Sequence, residues 1–178
     1  MSDMQELKVP VTAEDHAEGA EGAEVTLVEY GDFQCPDAGA AYPMVKRLRE
    51  HFGKRLRFVF RNFPLNRIHP MAELAAEVAE FAASHGKFWE MHDALYENQE
   101  ELSPGMLGDL VEQLGMNRDE AEEDAESRKY RERVKKDVDG GRRSGVHGTP
   151  TFFVNGKLYQ GEWLYAELAT AIEDAIGE

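Results

Sequence analysis

Cys35 is the only cysteine in this 178-residue chain, and it sits in EYGDFQCPDAGAAYP, between an apolar run and the start of a helical pattern. A thiol at that junction faces unpaired backbone N–H groups and the positive end of the helix dipole. Both favour the thiolate, which is the nucleophilic form of sulfur. Pro36 suits the first helical turn, where its missing N–H would be unpaired anyway. Asp37 places a negative charge beside the sulfur and works against the thiolate by like-charge repulsion. The setting usually carries a second cysteine as C-x-x-C, but position 38 is alanine. In a dithiol pair the second sulfur resolves the mixed disulfide that the first one forms with substrate. With Ala38 the chain can attack a disulfide and stay attached, but it has no internal means of release.

The elements that must position Cys35 can be read on either side of it. EVTLVEY (24–30) is a short β-branched run suited to a buried strand. After Cys35, apolar residues at Ala38, Ala41, Tyr42, Val45, Leu48 and Phe52 mark one face of a helix that stops at Gly53, with a kink expected at Pro43. RLRFVFRNF alternates Leu56, Phe58 and Phe60 against Arg55, Arg57, Val59 and Arg61, which predicts a strand. Helical patterns follow from about Pro70. They include a cap at Ser103-Pro104, a capping box at Asn117 and Glu120, and a last basic helix ending before Gly140-Gly141. Strands return in TPTFFV and KLYQG around Asn155-Gly156, a strong hairpin signal, and a final helix carries Leu164, Leu168, Ile172 and Ile176. The order is β-α-β, a helical block, then β-β-α. It divides into an acidic, loose arm at 1–22, an α/β domain made of 23–67 and 144–178, and a helical insertion at 68–143.

Composition narrows the partners. A net charge of −15 argues against a nucleic-acid backbone, and no apolar run reaches the length of a membrane span. Charge is uneven: residues 46–67 carry eight bases and one acid, while 97–126 carry eleven acids and one base. Solvated faces account for such runs, and the sharper alternative is a basic patch for an acidic partner. One cysteine and no signal-peptide pattern point to the cytoplasm, with an extracytoplasmic site as the alternative if a leader has been removed. The six histidines (16, 51, 69, 85, 92 and 147) show no metal-ligand spacing, so neither metal nor cofactor is expected. A Cys-His protease needs an orienting third group, and no residue stands out for that role. His69 reads as structural, Phe88, Trp89 and Tyr96 as core, and Tyr30 and Phe33 as either packing or the walls of an apolar groove.

Four segments in order, VTLVEYGDFQCP, RFVFRNFPL with HP, KFWEMHDALYENQ and GVHGTPTFFVNG, resemble the DsbA-like branch of the thioredoxin superfamily over nearly the whole chain. The resemblance implies a thioredoxin fold interrupted by an all-helical domain, and a thiol–disulfide oxidoreductase whose nucleophile is Cys35. It also implies a cis peptide at Thr149-Pro150 facing the cysteine, where backbone groups of Thr149 can pair with an extended substrate. Pro36, Asp37 and His147 would border that substrate, although an exposed loop histidine needs no role. Glu29, six residues before Cys35, would move protons beneath the site; a strand residue reaching a sheet edge is the plainer account. Partners would be protein thiols and disulfides or glutathione, while oligomeric state is left open. Two accounts fit Ala38: monothiol chemistry with a small thiol, or a CPDC motif from which one sulfur has been removed. Two other functions fit the same residues, a redox-inactive module that binds extended chains and a monothiol transferase or peroxidase.

Overall fold

In the computed structural model, which describes residues 5–177, the chain runs β1 (His16–Glu18), β2 (Val25–Gly31), α1 (Pro36–Phe52) and β3 (Leu56–Asn62). Five helices follow: α2 (Ala72–Ser84), α3 (Phe88–Glu97), α4 (Pro104–Gln113), α5 (Arg118–Glu126) and α6 (Arg131–Arg143). The chain closes with β4 (Thr151–Val154), β5 (Lys157–Leu158) and α7 (Tyr165–Ile176). The strands form one mixed sheet in the order β1-β3-β2-β4-β5. β2 runs parallel to β3, from Val25 opposite Leu56 to Gly31 opposite Asn62, and antiparallel to β4, with Glu29 opposite Phe152. The Asn155-Gly156 turn closes the β4-β5 hairpin with positive φ at both residues, and β5 is shorter than KLYQG suggested.

Helices or loops cover both faces of the sheet. Leu27, Phe58, Phe60 and Phe152 pack with α1, α3 and α7, while Val28, Tyr30, Val59 and Phe153 form a second cluster with Phe63, Val146, Leu7, Val11 and Val138. β3 is therefore buried from Phe58 to Asn62 on both sides, so its alternating pattern does not mark a solvent face. Period-2 alternation separates two faces but does not say whether the second is wet. α1 continues unbroken through Pro43, and its buried stripe of Ala38, Ala41, Val45, Leu48 and Phe52 matches the spacing. α6 runs past Gly140 and Gly141 instead of stopping there. A Cβ on Gly141 would lie 2.9 Å from the Phe63 ring and 3.0 Å from Tyr30, so these glycines let the helix lie close to the sheet.

The N-terminal segment is not a loose arm over its described length. Leu7 N–H donates to the Gly156 carbonyl and Leu158 N–H to that of Gln5, beyond the free side of β5, while β1 pairs with the opposite edge at β3. Between these ends, Lys8 N–H donates to Ser144 Oγ, and Arg61 anchors the strap from below. Arg61 is 2% exposed and donates to Asp15, Tyr30 Oη and the carbonyls of Val9 and Pro10. Burial alone would raise the Asp15 carboxyl. The hydrogen bonds and charge of Arg61, with the Thr12 N–H, outweigh it and hold Asp15 below its usual range. A charge run counted from sequence thus conceals internal pairs, and Arg49 likewise pairs with Glu18. Arg49 and Arg61 therefore do not contribute free charge to a basic patch over residues 46–67.

Removing one partner of a buried pair costs about 3–5 kcal/mol, because the other charge is stranded. Arg61→Ala should therefore lower the urea midpoint by that equivalent. It should also expose the amides of residues 5–18 to hydrogen exchange before the rest of the sheet.

Candidate active site

Cys35 is the N-cap of α1, in extended conformation (φ −71°, ψ 122°), and its carbonyl accepts the first helical hydrogen bond from Gly39 N–H at 2.9 Å. The side chain is 5% exposed and unpaired with any other sulfur. Its Sγ–H donates to the Thr149 carbonyl at 3.4 Å, across a Thr149–Pro150 peptide that is cis. Thr149 and Pro150 are buried beside it, Thr149 Oγ1 has no hydrogen-bond partner, and Thr151 Oγ1 donates to the Gly148 carbonyl to shape the turn. Pro36 and Asp37 are exposed on the first turn. Ala38 is 1% exposed and faces the core one turn along, where a second thiol would otherwise sit. His147 is exposed in the loop before Thr149, and no contact joins it to Cys35.

Three residues that the sequence did not single out hold this junction in place. Asp32, 1% exposed, accepts from Gln34 N–H at 2.8 Å through one oxygen, and from Leu65 N–H at 2.9 Å and His69 Nδ1 at 2.7 Å through the other. Gln34 Oε1 accepts from Met71 N–H at 2.7 Å. Gln99 reaches over from the helical segment, its Nε2 donating to the carbonyls of Cys35 (2.7 Å) and Phe33 (3.0 Å). A Cβ on Gly39 would overlap that carboxamide, so the glycine after Ala38 leaves room for Gln99. Asp32 does orient a histidine, the third-group role that no residue seemed to fill. The Cys35 thiol nevertheless donates to Thr149 rather than to His69. Each of these polar side chains serves a backbone group far away in sequence, and spacing carries no signal for such pairs.

Glu29 is 3% exposed, on the central strand between Phe60 and Phe152. It is not an edge residue, so the plainer account of it fails. Burial pushes its carboxyl up to about 8, and its Oε2 has no hydrogen-bond partner. Tyr96 on α3 faces Glu29, Asp32 and Cys35, and burial followed by those negative groups raises its phenol well above the usual range. Phe33 stacks on Phe60 and packs against Tyr96, both with centroids 5.1 Å apart, and Tyr30 lies fully buried on the opposite face. Both are packing residues, not groove walls. Among the described residues, no group of three or more His, Cys, Asp or Glu is placed to hold a metal ion.

A thioredoxin family model matches residues 11–174. The Na(+)/H(+) antiporter NhaA 1 of Salinispora arenicola is 44% identical over 171 residues, 96% of this chain, and NhaA 3 of Salinispora tropica is 43% identical over the same length. The chain spans only 26% of the length of these curated relatives, and none of its described helices is long and apolar enough to cross a membrane. Among solved structures, oxidised BdbD from Bacillus subtilis superimposes with a TM-score of 0.84 at 26% identity, covering 92% of this chain and 94% of that one. Wolbachia pipientis α-DsbA1 gives 0.81 at 16% identity, covering 96% and 94%, a likeness of fold.

Two outcomes follow from this geometry. Folding takes up a proton at Glu29 that the unfolded chain releases above its ordinary value of 4.5. The stability contributed by Glu29 is therefore complete below that value and is lost as pH rises towards about 8, by on the order of 4 kcal/mol. Denaturant titrations should show this decline in the parent and its loss in Glu29→Gln. Gln99→Ala strands the Phe33 carbonyl, leaves the Cys35 carbonyl with its Gly39 donor alone, and should cost about 1–3 kcal/mol. Amide exchange at residues 33–39 should accelerate more than in β2.

Proposed function

The chain belongs to the thioredoxin superfamily, in its DsbA-like branch, and from that membership we propose that it is a thiol–disulfide oxidoreductase acting through Cys35 as a single-sulfur nucleophile. The observation that carries the reading is the placement of the thiol: N-cap of α1, against the Thr149 carbonyl at the cis Thr149–Pro150 peptide. In the first step Cys35 loses its proton and its thiolate attacks a substrate disulfide. The substrate S–S bond breaks, a Cys35–substrate S–S bond forms, and the other substrate sulfur leaves as a thiolate. Glu29, held near neutrality by burial, takes up or returns the cysteine proton.

Release needs a second sulfur, and Ala38 supplies none. An external thiol, glutathione or a protein thiol, must attack the mixed disulfide and restore Cys35. The small exposed area of Cys35 favours a slim approach, by a small thiol or an extended segment lying along Pro36, Thr149 and Pro150. Such a segment can hydrogen-bond to the Thr149 backbone in strand fashion, with Asp37 and His147 at the rim. The reaction consumes disulfides, which extracytoplasmic compartments keep and the reducing cytoplasm does not, so the extracytoplasmic alternative suits it better. In the antiporter relatives the matched quarter shares this fold at 44% identity, and we read it as a redox module joined to a longer chain.

The parent should form one equivalent of mixed disulfide with oxidised glutathione, visible as a single mass addition, and Cys35→Ala should form none. Ala38→Cys should gain catalytic insulin reduction, because the new sulfur lies one helical turn from Cys35. An inert Cys35, together with no turnover in Ala38→Cys, would overturn the proposal and leave binding of extended chains as the better account.

A further inference from the structure

Glu29 lines a small cavity of about 10 Å³ together with Tyr42, Val45, Lys46, Arg49, Phe58, His92 and Tyr96. Three buried polar atoms on its lining residues have no hydrogen-bond partner: Glu29 Oε2, Tyr96 Oη and His92 Nε2. A polar cavity of roughly 10–15 Å³ with two to four polar partners is the size at which a buried water is held. The hydrogen-bond roles are complementary. His92 Nδ1 is 2.9 Å from Asp93 Oδ1, which fixes the ring proton on Nδ1 and leaves Nε2 as an acceptor. Glu29 in its protonated form has a donor and no protein acceptor for it.

We propose that this cavity binds one water joining Glu29, Tyr96 and His92, and that His92 is a positioning residue through which the Glu29 proton leaves the protein on the side away from the substrate. The inference rests on Glu29 exchanging the Cys35 proton. The Glu29 carboxyl gives its proton to the water, which gives one of its own to His92 Nε2. The resulting imidazolium then releases the Nδ1 proton to Asp93, whose side chain is 37% exposed. Lys46 and Arg49 line both this cavity and an open cleft of about 440 Å³ that also contains Asp93, Glu18 and Trp89. They lie 11 and 14 residues along α1 from Cys35, on the order of 16–21 Å at 1.5 Å per residue. A substrate lying over Cys35 therefore leaves this exit open. Several charges face His92: Asp93 and Glu18 favour its imidazolium, while Arg49 and its own burial oppose it. Protonated His92 is thus a transient carrier and not a resting ion. Tyr42, on α1, also lines the cavity, where it stacks on Tyr96 and donates to Glu97.

The test combines infrared difference spectra from about pH 6 to about pH 10 with single-turnover attack on a peptide carrying an aryl disulfide, followed by release of the coloured arylthiolate. A carboxyl band absent from Glu29→Gln identifies Glu29. In His92→Phe that band should move to higher wavenumber as the acid loses its acceptor, and attack should slow about tenfold, less than the ~10²-fold loss of a direct general base. His92→Gln keeps an acceptor but cannot carry a proton, so it should retain the band position and still lose the rate. It also serves as the working variant if His92→Phe does not fold. A Glu29 band and rate that are unchanged in both His92 variants would overturn the relay and leave the role of Glu29 standing. A pH profile unchanged in Glu29→Gln would overturn the role of Glu29 itself, and the relay with it.

Discussion

Everything at the site depends on how four residues, Asp32 to Cys35, get from a strand buried on both faces to a helix N-terminus. Over that span the backbone leaves the sheet ladder and has not yet begun helical pairing, so its polar groups need partners from elsewhere. Asp32 binds Gln34, Leu65 and His69, Gln34 binds Met71, and Gln99 binds the carbonyls of Phe33 and Cys35. The partners come from the segment after β3 and from the turn after α3. The helical segment is therefore part of the scaffold that aims the cysteine.

The same geometry explains why one carboxyl can be kept inside. Glu29 sits on β2, flanked by β3 and β4 and roofed by α1 and α3, with no ion pair to hold its charge. Desolvation keeps it protonated well above the normal carboxyl range, which is costly for the fold at alkaline pH. Arg61, on the neighbouring strand and the other face, shows the opposite solution, since a buried charge given four acceptor groups becomes an anchor.

The legibility of the sequence divided along a physical line. Elements set by local pattern were readable: the β-branched run of β2, the stripe of α1, the Ser103 and Asn117 caps and the Asn155-Gly156 hairpin. So was Cys35 at a strand-to-helix junction, because its significance is local. Asp32, Gln34, Gln99 and His92 were not, because each acts on a residue more than thirty positions away or on a cavity made by several elements. The burial of Arg61 was hidden for a related reason, since alternation cannot reveal that Asp15 and the strap over it wait on the far face.

That strap bears on how the chain assembles. Residues 5–7 bind the backbone of 156–158, and residues 16–18 bind 58–60, so one short segment seals both margins of the sheet. Open sheet margins are templates for strand addition and aggregation. A segment that precedes all its partners can dock only after the hairpin of β4 and β5 exists, which makes it a contact of very high sequence separation and a late one to form. Until then the helices and the cysteine junction can be complete while the β5 margin stays open. The interval between those two events is when the protein is most exposed to pairing with a second copy of itself.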